Sequence, residues 1–190
     1  MRWVNGFEKR ANAFEAGYAA QLDFVLLERL REVELKRCQL EAIEKRTMLN
    51  DSQVLEEIVS SGFDDRSVEA LQLIPFVLVA WSDRHISDAE RTEIFAEANR
   101  IGIKHDSSAF PIVVKWLQNN PGKQVELLWQ RFVQAYLRSL SPGLRLSFVE
   151  HLQSEMKRIA FISHSLHLPL WTKAEDQTIT RLSNWVGGCP

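Results

Sequence analysis

The sequence predicts an all-α protein, and three observations carry that prediction. Apolar residues recur at steps of three, four and seven along most of the 190-residue chain, which is the period of a helix with one buried face. No segment shows a convincing strand pattern. Helix-start signals precede several of the apolar segments, namely Asp51-Ser52, Ser87-x-x-Glu90, Ser141-Pro142 and Thr172-x-x-Glu175. We therefore expect a bundle of about eight helices.

The first element is a long charged helix, predicted over residues 7–49. Its apolar residues form a one-sided stripe of Leu22, Leu26, Leu30, Val33, Leu40 and Ile43. Arg29 and Lys36 fall where a strict coiled-coil heptad requires apolar residues. Two interpretations stay open, a helix packed on its own domain and a loose arm that forms a homodimer. We expect residues 1–50 to form this helix and residues 51–190 to form the helical domain.

The most apolar segment of the chain, Leu73–Trp81, is predicted to be the central buried helix. A short amphipathic helix over residues 54–59 precedes it and ends at Gly62. The next helix begins after Asp65 and continues into the apolar segment, where Pro75 is expected to kink it because proline removes a backbone donor.

A polar connection over residues 82–86 separates the central helix from the first capping box and its helix, which ends near Gly102. Four further helices are predicted, over about 107–118, 125–140, 142–162 and 172–187. Both capping boxes follow an apolar helix and a polar connection. This arrangement indicates an internal pseudo-repeat.

Composition limits the classes of function. The net charge of −2 gives no reason to expect nucleic acid as a partner. The longest apolar run is far shorter than the ~20 residues of a membrane-spanning helix, and the N-terminal residues lack the pattern of a secretory signal. The two cysteines, Cys38 and Cys189, do not suggest a disulfide framework. We expect a cytoplasmic protein with no direct membrane insertion.

Carboxylates cluster after the central helix, at Asp83, Asp88, Glu90, Glu93 and Glu97. A hard cation such as Ca²⁺ or Mg²⁺ requires several converging oxygens, so this cluster is a candidate metal site. A structural interpretation is favoured. Asp88 and Glu90 complement the helix dipole, Glu90 caps the helix, and Glu93 and Glu97 are expected on a solvated face.

Catalytic motifs are absent from the sequence. No serine lies in a G-x-S-x-G segment, and no glycine-rich phosphate loop is present. His164-x-x-His167 places two imidazoles close together, but no cysteine or carboxylate nearby completes a zinc ligand set. We therefore expect no enzyme activity, no catalytic residue and no organic cofactor.

The segment from Leu73 to Ile103 resembles the TerB-like (tellurite-resistance B) family. The resemblance lies in the apolar run, Ala80-Trp81-Ser82-Asp83, Ile86-Ser87-x-x-Glu90 and Asn99-Arg100-Ile101-Gly102-Ile103, and it extends over roughly residues 54–186. It implies an all-helical bundle with a pseudo-twofold core. It also implies a cation site, in which Asp83 and Glu90 match the acidic residues of the first lobe and Glu175 the glutamate of the second.

The chain departs from the family pattern at two places. Arg84 stands where the family has glycine, and Ser163-His164-Ser165 stands where another aspartate is expected. Both departures weaken a divalent-cation site. Two functional hypotheses follow, a non-enzymatic interaction or scaffold module with an unidentified protein partner, and a cation-binding stress-response protein using Asp83, Asp88, Glu90 and Glu175.

Overall fold

The computed structural model describes residues 4–162 and 172–187, with side chains from residue 17 onward. Within those ranges it contains eight α-helices, one short 3-10 helix and no strand. The all-α prediction and the predicted number of helices are therefore confirmed. The chain divides into two compact units, of which the first ends at Glu41 and the second begins at Ala42.

Helix α1 spans Val4–Thr47. Every residue from Gly17 to Gln39 is exposed, including the apolar ones. Within this stretch the guanidinium of Arg37 pairs with the carboxylates of Glu34 and Glu41, at the i,i+3 and i,i+4 spacings that favour a helix. The last turns of α1 belong to the second unit, where Ile43 and the following Leu49 are fully buried.

The second unit begins with α2, Ser52–Ser60, which Asp51 caps by accepting the backbone N–H of Val54. Gly62 then adopts φ +86°, the left-handed conformation predicted at the end of this helix. A 3-10 helix, Val68–Leu73, leads directly into α3, Ile74–Ala80.

The prediction of one continuous helix kinked at Pro75 is wrong. Pro75 instead occupies the first turn of α3, and the residues before it form the separate 3-10 helix. The physical reason is that the N–H groups of a first turn have no partner within the helix, so a proline there loses no hydrogen bond. Every side chain of α3 is buried, which confirms it as the central helix.

The remaining helices are α4 (Asp88–Arg100), α5 (Phe110–Gln118), α6 (Gly122–Ser139), α7 (Pro142–Ile162) and α8 (Lys173–Gly187). Helix α3 contacts α4, α6, α7 and α8, so these four surround it. Helices α4 and α8 both pack on α7 as well. Helix α3 consequently lies at the centre of the core, and the pairs α3–α4 and α7–α8 are the segments that the pseudo-repeat prediction relates.

Candidate functional site

The turn that follows α3 contains the predicted site residue Asp83, whose side chain is exposed. One oxygen of its carboxylate, Oδ1, accepts the backbone N–H of His85 at 3.0 Å, which closes an Asx-type turn. Arg84, between them, has φ 71°, the left-handed region that glycine favours. Arg84 thus adopts the backbone conformation expected of the glycine that stands there in the TerB-like pattern.

Trp81, at the end of α3, has a structural role in this turn. Its Nε1–H donates to the backbone carbonyl of Trp116 on α5, with a distance of 2.7 Å between the two atoms. Trp116 and Trp129 are both buried. The start of the turn is therefore tied to α5.

The first capping box is confirmed at the start of α4. The Ser87 side chain accepts the backbone N–H of Glu90, and Glu90 Oε2 accepts both the backbone N–H and the hydroxyl of Ser87, each at 2.8 Å. Glu90 is only 3% exposed. Burial in an apolar environment disfavours a charged carboxylate, and it raises the pKa of Glu90.

The second capping box is present as well, at the start of α8. The backbone N–H of Glu175 donates to the Thr172 hydroxyl at 3.2 Å, and the Glu175 carboxylate accepts the backbone N–H of Thr172. Glu175 is 1% exposed. Helices α4 and α8 therefore each begin with a buried capping glutamate.

Two other carboxylates act on Glu90. Burial is the largest cause of the raised pKa of Glu90, and the hydrogen bonds from Ser87 oppose it by lowering the pKa. Repulsion from the carboxylates of Asp83 and Glu175 raises the pKa further. Three of the four predicted site residues are thus close enough to interact electrostatically. The fourth, Asp88, is the exposed first residue of α4.

No group of three or more histidine, cysteine, aspartate or glutamate side chains within the described residues is arranged to hold a metal ion. Both buried glutamates already cap their helices, and Asp83 closes its turn. The metal site at Asp83, Asp88, Glu90 and Glu175 stays a prediction. The predicted alternative at His164 and His167, like the departure at Ser163-His164-Ser165 and the residue Cys189, lies outside the described residues.

A charged network between α4 and α7 was missed by the sequence analysis. Its members are Glu93, Glu97 and Arg100 on α4, with Glu155 and Arg158 on α7. The expectation that Glu97 lies on a solvated face is wrong, because it is 4% exposed. Arg100 Nη1 lies 2.6 Å from Glu97 Oε2, and Arg158 pairs with both Glu93 and Glu155.

One sequence signal could have indicated this network. Glu97 and Arg100 lie three residues apart on one helix, as do Glu155 and Arg158 on another, and such pairs share a helix face. The sequence does not show that these two faces are packed together, because that depends on how α4 and α7 cross.

No family model, curated protein or solved structure matches the chain. Among the described helices, none combines the length and apolar character needed to cross a membrane.

Proposed function

We propose that the chain is a non-enzymatic helical interaction module of the TerB-like type, and that it acts by pairing with a second copy of itself through α1. The observation that carries this proposal is the apolar stripe, defined as six exposed side chains on one side of α1: Tyr18, Leu22, Val25, Leu26, Leu30 and Val33. Steps of three and four residues keep them on that side. Their exposed fractions lie between 43% and 69%.

The size of the stripe is appropriate for a reversible dimer. Because these side chains are about half exposed, covering each contributes about 1 kcal/mol, or roughly 12 kcal/mol for a pair of helices. Association costs about 4–15 kcal/mol in lost translational and rotational freedom. A cost of about 6 kcal/mol, within this range, leaves about 6 kcal/mol, which corresponds to a dissociation constant on the order of 10–100 µM.

The charges on α1 favour an antiparallel pair. Arg29 and Lys36 follow Leu22 at steps of seven, so they lie on the same side of α1 as the stripe. In a parallel pair each would face its own copy, and like charges at that position repel. An antiparallel pair centred between Leu30 and Arg31 instead brings Arg29 opposite Glu32 of the second copy, which gives two attractive pairs.

Sedimentation equilibrium between about 1 and 300 µM brackets the expected dissociation constant and tests this proposal. We expect the wild type to dimerise and the double variant Leu26→Glu plus Leu30→Glu to remain monomeric. The control is Leu35→Glu, because Leu35 is 65% exposed and lies on the opposite side of α1 from the stripe. The control should dimerise like the wild type. A wild type that stays monomeric throughout would contradict the proposed dimer.

The alternative function is binding of a divalent cation, and one observation favours it. Asp83 and Glu175 raise the pKa of Glu90 by repulsion, and a bound cation would relieve that repulsion. Calorimetry with Ca²⁺, Mg²⁺, Mn²⁺ and Zn²⁺ on the wild type and Asp83→Asn tests the alternative. Binding heat that the substitution abolishes would support it, and equal heats for the two proteins would remove it.

A further inference from the structure

The second unit contains a cavity of about 490 Å³ that opens beside the start of the 3-10 helix and extends between α6 and α7. This volume lies within the range of roughly 300–1,000 Å³ typical of small-molecule sites. Neither capping box contributes to its lining. The candidate cation site at Asp83, Asp88, Glu90 and Glu175 therefore lies outside the cavity lining.

Aromatic rings form much of the cavity wall. Phe76, Trp129 and Phe132 are buried at its base, whereas Tyr136 and Phe148 are partly exposed. The last two fix one another in an edge-on arrangement, with ring centroids 5.3 Å apart, and Tyr136 also stacks on Phe132. The π face of an aromatic ring attracts cations, so a wall with several such rings favours a cationic ligand.

The charge of the wall is negative. Glu97 lines the cavity while being almost completely buried. Its network contains three carboxylates and two guanidinium groups, so one negative charge is left over. Arg46 is the one lysine or arginine that lines the cavity, and its guanidinium pairs with Glu69 on the same wall. That pair adds no net charge.

We propose that this cavity binds small organic cations, in which an ammonium group is joined to an aromatic or aliphatic body. The body packs among the aromatic rings, and the ammonium group lies near Glu97, whose network gains the positive charge that it lacks. An anionic ligand of the same shape would bring a carboxylate beside Glu97 and would lose binding through repulsion.

Three probes with the same aromatic body and different head groups test the charge preference. They are 2-phenylethylammonium, 2-phenylethanol and 3-phenylpropionate, titrated into the full chain and followed by protein NMR chemical shifts. A ligand of this size should bind with a dissociation constant of about 1 mM. We expect the ammonium compound to bind at least about tenfold more tightly than the carboxylate, with the alcohol between them.

Two variants locate the bound ammonium probe. Glu97→Gln should weaken its binding about tenfold and remove the preference for the cation. Glu126→Gln is the matched control, because Glu126 is also buried on the same unit and pairs with Arg181 at 3.1 Å, outside the cavity. The control should bind the probe as the wild type does.

A third variant keeps the proposal testable if Glu97→Gln does not fold. Phe148→Leu removes a partly exposed ring from the wall, and it should weaken all three probes. The proposal is wrong if the carboxylate probe binds as tightly as the ammonium probe, or if none of the probes binds at about 10 mM. It is also wrong if Glu126→Gln weakens binding as much as Glu97→Gln.

Discussion

Helices α1 and α3 are both rich in large apolar residues, yet their environments are opposite. Every residue of α3 is buried, whereas the apolar stripe of α1 is about half exposed. Helix α3 is only seven residues long and charge-free, and four other helices surround it. The described part of α1 before Leu40 alternates apolar residues with many charges.

The difference shows that the same residue types have different uses in the two helices. An apolar side chain stabilises the fold only when neighbouring atoms remove it from water. The residues of α3 achieve this within the chain. Those of the stripe on α1 contribute to stability when a second molecule covers them, and this is the physical basis of the proposed dimer.

The largest effect is expected in α3. Ile74 is fully buried, so Ile74→Ala should lower the free energy of unfolding by about 2–5 kcal/mol, through lost burial and the cavity that is left. Urea unfolding of dilute protein measures the change. Leu30→Ala in the stripe is the matched control, and it should change the stability of the monomer by less than about 0.5 kcal/mol. Equal losses for both variants would contradict the contrast between the helices.

A second prediction concerns the pairing of α1. Replacing Arg29 by glutamate removes the two attractive pairs with Glu32 of the second copy and places like charges opposite each other in the antiparallel dimer. We expect the dissociation constant of the dimer to rise by about tenfold or more, as judged by sedimentation equilibrium. An unchanged or stronger association would show that Arg29 does not lie opposite Glu32 in the dimer.

A smaller change in the free energy of unfolding is expected for a substitution in the turn after α3. Arg84 has φ 71°, a conformation that is unfavourable for a residue with a Cβ atom. Arg84→Gly should therefore raise the free energy of unfolding by about 0.5–1 kcal/mol, since glycine adopts this conformation without strain. Thermal and urea unfolding provide the measurement, with Arg66→Gly, an exposed arginine of ordinary backbone conformation, as the control that should not gain stability.

The last prediction concerns how the free energy of unfolding depends on pH. The pKa of Glu90 is raised in the folded state. Protonation of Glu90 therefore stabilises the folded state. This stabilisation is fully present at pH values below the ordinary pKa of 4.5, and it is lost as the pH rises through the folded-state pKa. Glutamine cannot ionise but can still cap the helix.

The stability of Glu90→Gln relative to the wild type should consequently increase between pH 4 and pH 7. Urea unfolding at several pH values measures this difference, and Glu44→Gln, at an exposed position of α1, provides the background for an ordinary surface carboxylate. A relative stability that falls over the same interval would contradict the raised pKa.

The prediction from sequence was most successful where local chemistry dominates. The Ser87–Glu90 and Thr172–Glu175 capping boxes form with the predicted donors and acceptors, because their partners lie within one turn of helix. Pro75 was misinterpreted, since the sequence alone does not show where one helix ends and the next begins. The burial of Glu97 could not be predicted, because its partner Arg158 lies on another helix.

The sequence by itself determined the helices, their caps and the glycine turns, since the forces responsible act between residues a few positions apart. Only the tertiary structure decided which helix faces become core. It brought Asp83 and Glu175 close enough to Glu90 to raise its pKa, and it placed Glu97 in the wall of an aromatic cavity. These outcomes depend on the crossing of helices that are distant in sequence, and no local pattern of residues specifies that geometry.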